Sequence, residues 1–361
     1  MKKLYFIFIL LINLNLYSEL QKMIVSVPVA DLRSKTVKVD PSLTPPALLK
    51  DMNGQLSQLL FNECILAEES TENPSWLNVE AIEQEIKNSE NNFIPCPGFI
   101  EKNQAIEVEE FPKFNLVTQV LWTNIFEQPD INSNKTLSIC IGTKFEGEKV
   151  NENWWKIKLP ENKNGYIQAN DIYEITNKIQ ETEDELRNNI TLSAMLFLNC
   201  PYVFGGRSPY KKDLNNQITG VDCSDFINLV FRSCGFQIPK NSPSQWEKSN
   251  KIKTGSDLKP GDLVFLFDDQ TLLRRLSGKT RVVHVMMYLG DNLLIESSGG
   301  DNSDKNVRII SAIDYLGKII NKIESGKDRC KINNFLIYFG SFLNSKEIIL
   351  ELRNKELENN F

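Results

Sequence analysis

Apolar and polar positions alternate in short runs through the first half of the chain. Met23–Val27, Trp76–Val79 and Gly98–Ile100 read as strands, with a short apolar segment at Leu56–Phe61 and a Pro-rich stretch at Pro41–Pro46. The texture returns at Val117–Trp122, Leu137–Gly142, Trp154–Leu159 and Gly165–Ile167. Close-spaced short β runs punctuated by turn residues predict two small all-β barrels, residues 19–105 and 106–178. Near residue 180 the period changes. The acidic run Glu181–Glu185 suits a helix N-terminus, and Leu186, Ile190, Ala194 and Leu198 follow at helical spacing. After a Gly/Pro-rich loop, Pro201–Pro209, a second helix runs from Cys223 to Cys234, with Gly235 as its stop. Phe226, Ile227, Leu229, Val230 and Phe231 make it apolar nearly all round, which predicts burial. Strands follow at Leu263–Phe267, Val282–Leu289, Leu293–Glu296 and Phe335–Phe339. Helices followed by strands predict an α+β domain over residues 179–345, and residues 346–361 read as a charged, partly helical tail.

The first residues change the expected location. Lys2 and Lys3 precede an uncharged apolar stretch whose asparagine-free part, Leu4–Ile12, is nine residues, too short to span a bilayer. Residues 1–18 read as a secretory signal peptide, implying export to the periplasm or to the extracellular space and cell wall. Removing them takes the net charge from −6 to −8, which argues against nucleic acid or an anionic membrane as partner. The seven cysteines, an odd number, leave at least one thiol free after export, and buried unpaired thiols fit the composition as well as bridges do.

The candidate chemistry centres on a single histidine, His284, inside the apolar run Val282–Tyr288, and on Cys223 at a helix start. A thiol nucleophile works as the thiolate, which a helix N-terminus and a nearby imidazolium both favour. Asp222 offers an N-cap oxygen, although its own charge opposes a thiolate next door. The imidazole needs an acceptor on its second nitrogen. Gly290-Asp291-Asn292 reads as a hairpin loop. A three-residue loop pairs His284 with Ser298 and makes Glu296 its diagonal neighbour; a register shifted by two puts Glu296 directly across. Gly205 and Gly206 permit close backbone approach to a ligand, and Tyr202 places a hydroxyl near the same point.

At these residues the chain resembles the NlpC family of papain-like cysteine peptidases. The matching pieces are Tyr202–Gly206, Asp222–Ser224, Leu258–Leu263, His284–Gly290 and Leu294–Ser298, in that order, within residues 180–340. The resemblance implies a papain-like catalytic domain with Cys223 as nucleophile, His284 as base and Glu296 as the third polar residue, where histidine is common. Phe204 stands where tryptophan is common. The first 160 residues resemble tandem bacterial SH3-like barrels. Val27–Leu32, Gln58–Glu63 and Pro97–Ile100 match the first barrel of the subgroup that cleaves γ-D-glutamyl–diamino acid bonds, with Cys96 where tyrosine is usual. By that resemblance Glu63 and Asp222 hold the free amine of an N-terminal L-alanine, and Tyr202, Ser224, Gly205 and Gly206 complete the substrate site.

The expectation is an exported γ-D-glutamyl–diamino acid endopeptidase acting on peptidoglycan stem peptides. It needs no cofactor and no metal, since one histidine without clustered carboxylates makes no zinc site. Two rivals remain: a papain-like acyl transferase or amidase acting on another amide, and a non-enzymatic wall-binding protein whose barrels are the working part. Among weaker signals, the basic loop Leu272–Arg281 reads as solvated, and Trp154-Trp155 as barrel core.

Overall fold

The computed structural model describes residues 20–38, 54–175, 181–212, 214, 218–269, 281–300 and 305–357. The signal-peptide expectation, the Pro41–Pro46 stretch and the loop Leu272–Thr280 lie outside the described residues.

Among the described residues the first β unit is a seven-stranded antiparallel sheet. Its strands are β1 (Gln21–Val25), β2 (Val29–Arg33), β3 (Gln55–Leu60), β4 (Cys64–Glu69), β5 (Trp76–Lys87), β6 (Phe93–Glu101) and β7 (Ala105–Glu107). The spatial order is β3-β2-β6-β5-β4-β1-β7. Alternation along these strands puts Met23, Val25, Ile65, Ala67, Leu77 and Val79 into one core, while Ile24, Cys64 and Ile82 gather with Phe114 in another.

The second unit comprises β8 (Leu116–Thr118), β9 (Trp122–Phe126), β10 (Lys135–Cys140), β11 (Lys144–Phe145), β12 (Gly147–Asn151), β13 (Trp154–Leu159), β14 (Lys163–Gln168) and β15 (Ile172–Glu174). A five-stranded sheet, β10-β9-β14-β13-β12, accompanies a three-stranded one, β11-β8-β15. Leu116, Ile125, Ile139, Phe145, Trp155 and Ile157 share its core with Phe61 from the first unit, and both Trp154 and Trp155 are buried. Among the described residues the strand pairings leave both all-β units as open sheets. The free edge of β3 lies instead against the rest of the molecule, where Gln58 Oε1 accepts from Arg207 N (2.9 Å) and Ser208 Oγ (2.7 Å).

The remaining elements are α1 (Glu183–Leu196), β16 (Arg207–Ser208), β17 (Gly220–Val221), α2 (Cys223–Ser233), α3 (Ser242–Lys248), β18 (Asn250–Ile252), β19 (Leu263–Asp268), β20 (Arg281–Gly290), β21 (Leu293–Ser297), β22 (Val307–Ser311), α4 (Ala312–Leu316), β23 (Leu336–Ser341) and α5 (Lys346–Leu357). The six-stranded antiparallel sheet has the order β18-β23-β19-β20-β21-β22. The fold is thus α+β, as the sequence pattern predicts. Helix α1 begins with a capping box, Thr182 and Glu185 satisfying each other's backbone N–H groups. Its Leu186, Ile190 and Ala194 meet Phe226, Ile227 and Val230 of α2 over Phe265, Val285, Met287 and Ile295 of the sheet. The other sheet face is covered by Leu316, Ile320 and Ile323.

The segment read as a charged, partly helical tail holds helix α5, which packs on the domain. Ile348, Ile349 and Leu352 of α5 enter the same core as α2, and Leu352 O accepts from Gln237 N (3.2 Å). Three apolar residues in a charged segment are enough to bury one face of a helix when a partner surface waits for them.

Candidate active site

Helix α2 starts where it does because Asp222 caps it. The Asp222 carboxylate accepts from Asp225 N (2.8 Å), Ser224 Oγ (3.0 Å) and Gly205 N (3.1 Å). These three donors offset the charge that would otherwise oppose a thiolate at the adjacent Cys223. Cys223 is the first residue of α2, so its backbone N–H is one of the free donors of the helix end. It is half-buried, whereas the other six cysteines are buried, and all seven are free thiols. Gly205 sits at φ 65, and a side chain there would press on Gln55. At Gly206 it would lie 2.5 Å from Gly220 O. The close approach these glycines allow is to β3 and to Gly220, and it fixes the loop that carries Tyr202.

His284 is aimed by a bulge. Leu266 pairs with His284 while Phe267 pairs with Val282, so Val283 is an extra residue in β20 immediately before the histidine. Across the hairpin, Met287 pairs with Ile295 and Tyr288 with Leu294, the register that makes Glu296 a diagonal neighbour of His284. The result is a 2.6 Å contact between His284 Nε2 and Glu296 Oε2. With Nε2 engaged, Nδ1 is the nitrogen left for the hydrogen bond between His284 and Cys223. Burial pushes the imidazole's pKa down, but the hydrogen bonds to Cys223 and Glu296 and their charges overcome it and raise the pKa to about 10. Glu296 is fully buried. Burial pushes its carboxyl up, and the bond and charge of His284, then those of Arg308, hold it below its ordinary range.

The other expected residues divide. Tyr202 stands half-buried beside Cys223, its ring against Gly299; burial, then the Cys223 charge, raise its hydroxyl well above the ordinary range. Ser224 is buried, and its hydroxyl belongs to the cap. Glu63 is engaged within the protein. It is 2 % exposed, accepts from Leu60 N (2.7 Å) and lies 3.0 Å from Arg207 Nη1, so it ties the end of the β3–β4 turn to β16. Asp222 is likewise buried with three donors, so its structural work is the cap.

Three residues escaped the sequence reading. Arg308 sits directly across from Glu296 in β22, a charge inside the apolar run Val307–Ser311 that marked both a further strand and its special position. Gln245 of α3 donates to Ser224 O (2.9 Å) and braces the α2 start. Lys240 lies 3.5 Å from Asp225, whose carboxyl burial lifts to about 7 against the opposing charge of Lys240. Gln245 and Lys240 carried no local signal, because their partners are set by tertiary packing.

The NlpC/P60 family matches residues 199–313, a span holding Cys223, His284, Glu296 and Arg308. A γ-D-glutamyl-L-lysine dipeptidyl-peptidase of Bacillus cereus is 27% identical over 258 residues, 68% of this chain and 69% of the relative. The protein of the same name from Bacillus subtilis is 23% identical over 268 residues, 72% of this chain and 77% of the relative. A crystal structure of an NlpC/P60 family protein from Bacillus cereus superposes with a TM-score of 0.66 at 21% identity, covering 89% of this chain and 99% of that one. Residues 199–313 are thus an NlpC/P60 domain, in a chain homologous to γ-D-glutamyl-L-lysine dipeptidyl-peptidases.

Proposed function

We propose that the chain is an exported cysteine peptidase that hydrolyses the γ-D-glutamyl–diamino acid amide of peptidoglycan stem peptides, with Cys223, His284 and Glu296 as its working residues. The observation that carries this reading is the chain of contacts from the α2 start through His284 to a buried carboxylate, inside the NlpC/P60 segment. The names of the relatives favour lysine as the diamino acid. The thiolate of Cys223 attacks the γ-glutamyl carbonyl while its own N–H, at the positive end of α2, receives the oxyanion. Tyr202 adds a second donor. His284 gives its proton to the leaving amine, and water, activated by the neutral imidazole, then releases the acyl group and restores the pair. The two β units serve as SH3-like modules that wall the site through β3.

The test is incubation with L-Ala-γ-D-Glu-L-Lys and with the diaminopimelate tripeptide, followed by mass analysis. Release of the L-Ala-D-Glu dipeptide by wild type and not by Cys223→Ala supports the reading. Uncleaved peptides, together with sacculus binding that survives Cys223→Ala, would instead mark a wall-binding protein.

A further inference from the structure

Arg308 makes a fork on the far side of Glu296. Its Nε (3.1 Å) and Nη2 (2.8 Å) both donate to Oε1, while His284 holds Oε2 at 2.6 Å. The two carboxylate oxygens are thereby divided between one imidazole and one guanidinium. Glu296 is fully buried, and Arg308 keeps 27 % of its side chain exposed.

The charges decide what the fork does. In the ionised state Cys223 carries −1, His284 +1 and Glu296 −1, which sums to −1 in a site largely removed from water. An uncompensated buried charge is costly, and the cheapest relief is a proton on the sulfur or on the carboxylate. The first abolishes the thiolate, and the second removes the negative charge that helps hold the proton on His284. The other groups around the site do not supply the missing cation. Tyr315 of α4 and Tyr202 of the loop have hydroxyls pushed up by burial and stay neutral, and burial does the same for the Cys330 thiol. Asp222 and Asp225 at the α2 start add negative charge, and Lys240 faces Asp225. Among the described residues facing Glu296, Arg308 brings the cation.

We propose that Arg308 is a positioning residue, the fourth charge of the site, whose fork fixes the Glu296 carboxylate against the imidazole and whose cation balances the net charge of −1 on Cys223, His284 and Glu296 together. This rests on reading Cys223 and His284 as the reacting pair.

The experiment uses the full chain and reads the sulfur directly. Iodoacetamide labelling of Cys223, followed by mass spectrometry across pH, reports the thiolate without any peptide, since the other six cysteines are buried. Arg308→Gln removes the charge and Arg308→Lys keeps it. The glutamine variant should need about one pH unit more to reach half of its labelling plateau, a rate about tenfold lower on the acid side, and equal wild type at the alkaline plateau. The lysine variant should recover most of that loss. On the tripeptide, kcat of the glutamine variant should fall with KM little changed. Superimposable labelling profiles for wild type and Arg308→Gln would overturn the proposal, and so would a lysine variant displaced as far as the glutamine one. If wild type itself labels only like a free thiol and cleaves no peptide, the reading of the pair fails instead. Wild-type labelling on the acid side without any Arg308 effect sinks the Arg308 inference alone.

Discussion

At His284 two opposing influences meet, and their balance sets a pH window. Burial disfavours the imidazolium, yet two hydrogen-bonded neighbours raise its pKa from 6.5 to about 10. The ring therefore keeps its proton across the neutral range, as a donor to a leaving amine must. Above about pH 10 the thiolate persists but the ring has no proton to give. The pH profile of kcat/KM should accordingly bend down near 10. In Glu296→Gln that limb should move toward the ordinary histidine range, and kcat should fall by about 100-fold. The same shift is a stability statement. A pKa raised by folding contributes stability that is complete below about 6.5 and is lost as pH rises through about 10. Urea melts of wild type should weaken over that interval, and those of Glu296→Gln should weaken less. A wild-type melt that is flat from pH 7 to 10 would contradict the assignment.

Helix α2 shows which parts of an element can be read locally. Its start, its buried face and its end were legible because each has a residue-level cause: Asp222 caps, the apolar run buries, and Gly235 at φ 77 stops. The hairpin register was legible to within one alternative, because Gly290-Asp291-Asn292 limits how β20 and β21 can pair. The bulge at Val283 left no trace in composition, and β22 with Arg308 lies beyond the segment from Ser298 that the motif covers. The packing of helix α5 left no signal for a similar reason, since its buried face exists only once α2 is in place. The cap also carries an element-scale prediction. Asp222→Ala removes acceptors from Asp225 N, Ser224 Oγ and Gly205 N together, so chemical denaturation should show a loss of about 1–2 kcal/mol. Asp222→Asn keeps an acceptor for the helix but can turn an NH2 toward Gly205 N, and should fall between wild type and alanine. Because the cap sets where the Cys223 N–H points, kcat should fall in the same order.

Across the whole molecule, a buried charge network joins regions that the sequence presents as separate units. Arg232 of α2 donates to Gly142 O (2.7 Å) near the end of the second unit's β10 and to Glu83 Oε2 (2.7 Å) of β5. Lys144 of β11 lies 2.6 Å from Glu83, and Arg207 binds Glu63, in the turn just before β4. None of these groups is near its own partner in sequence, so charge content alone cannot announce the network; it comes into being only when three units pack. Burial raises the Glu83 carboxyl, but Lys144 and Arg232 overcome that and bring its pKa from 4.5 to about 2. A carboxyl depressed by folding contributes stability that is present above about 4.5 and lost as pH falls through about 2. Arg232→Met fills similar space without the charge and leaves Glu83 with one cation fewer. Breaking a buried pair from one side costs about 3–5 kcal/mol, far more than an exposed pair, because the remaining charge stays desolvated. Arg232→Met should therefore lower the urea midpoint strongly and move the acid unfolding midpoint upward. If the three units share one folding transition, the variant should still unfold in a single step by fluorescence of Trp155 and Trp246 alike. A separate early transition confined to one tryptophan would show that the network links regions that fold independently.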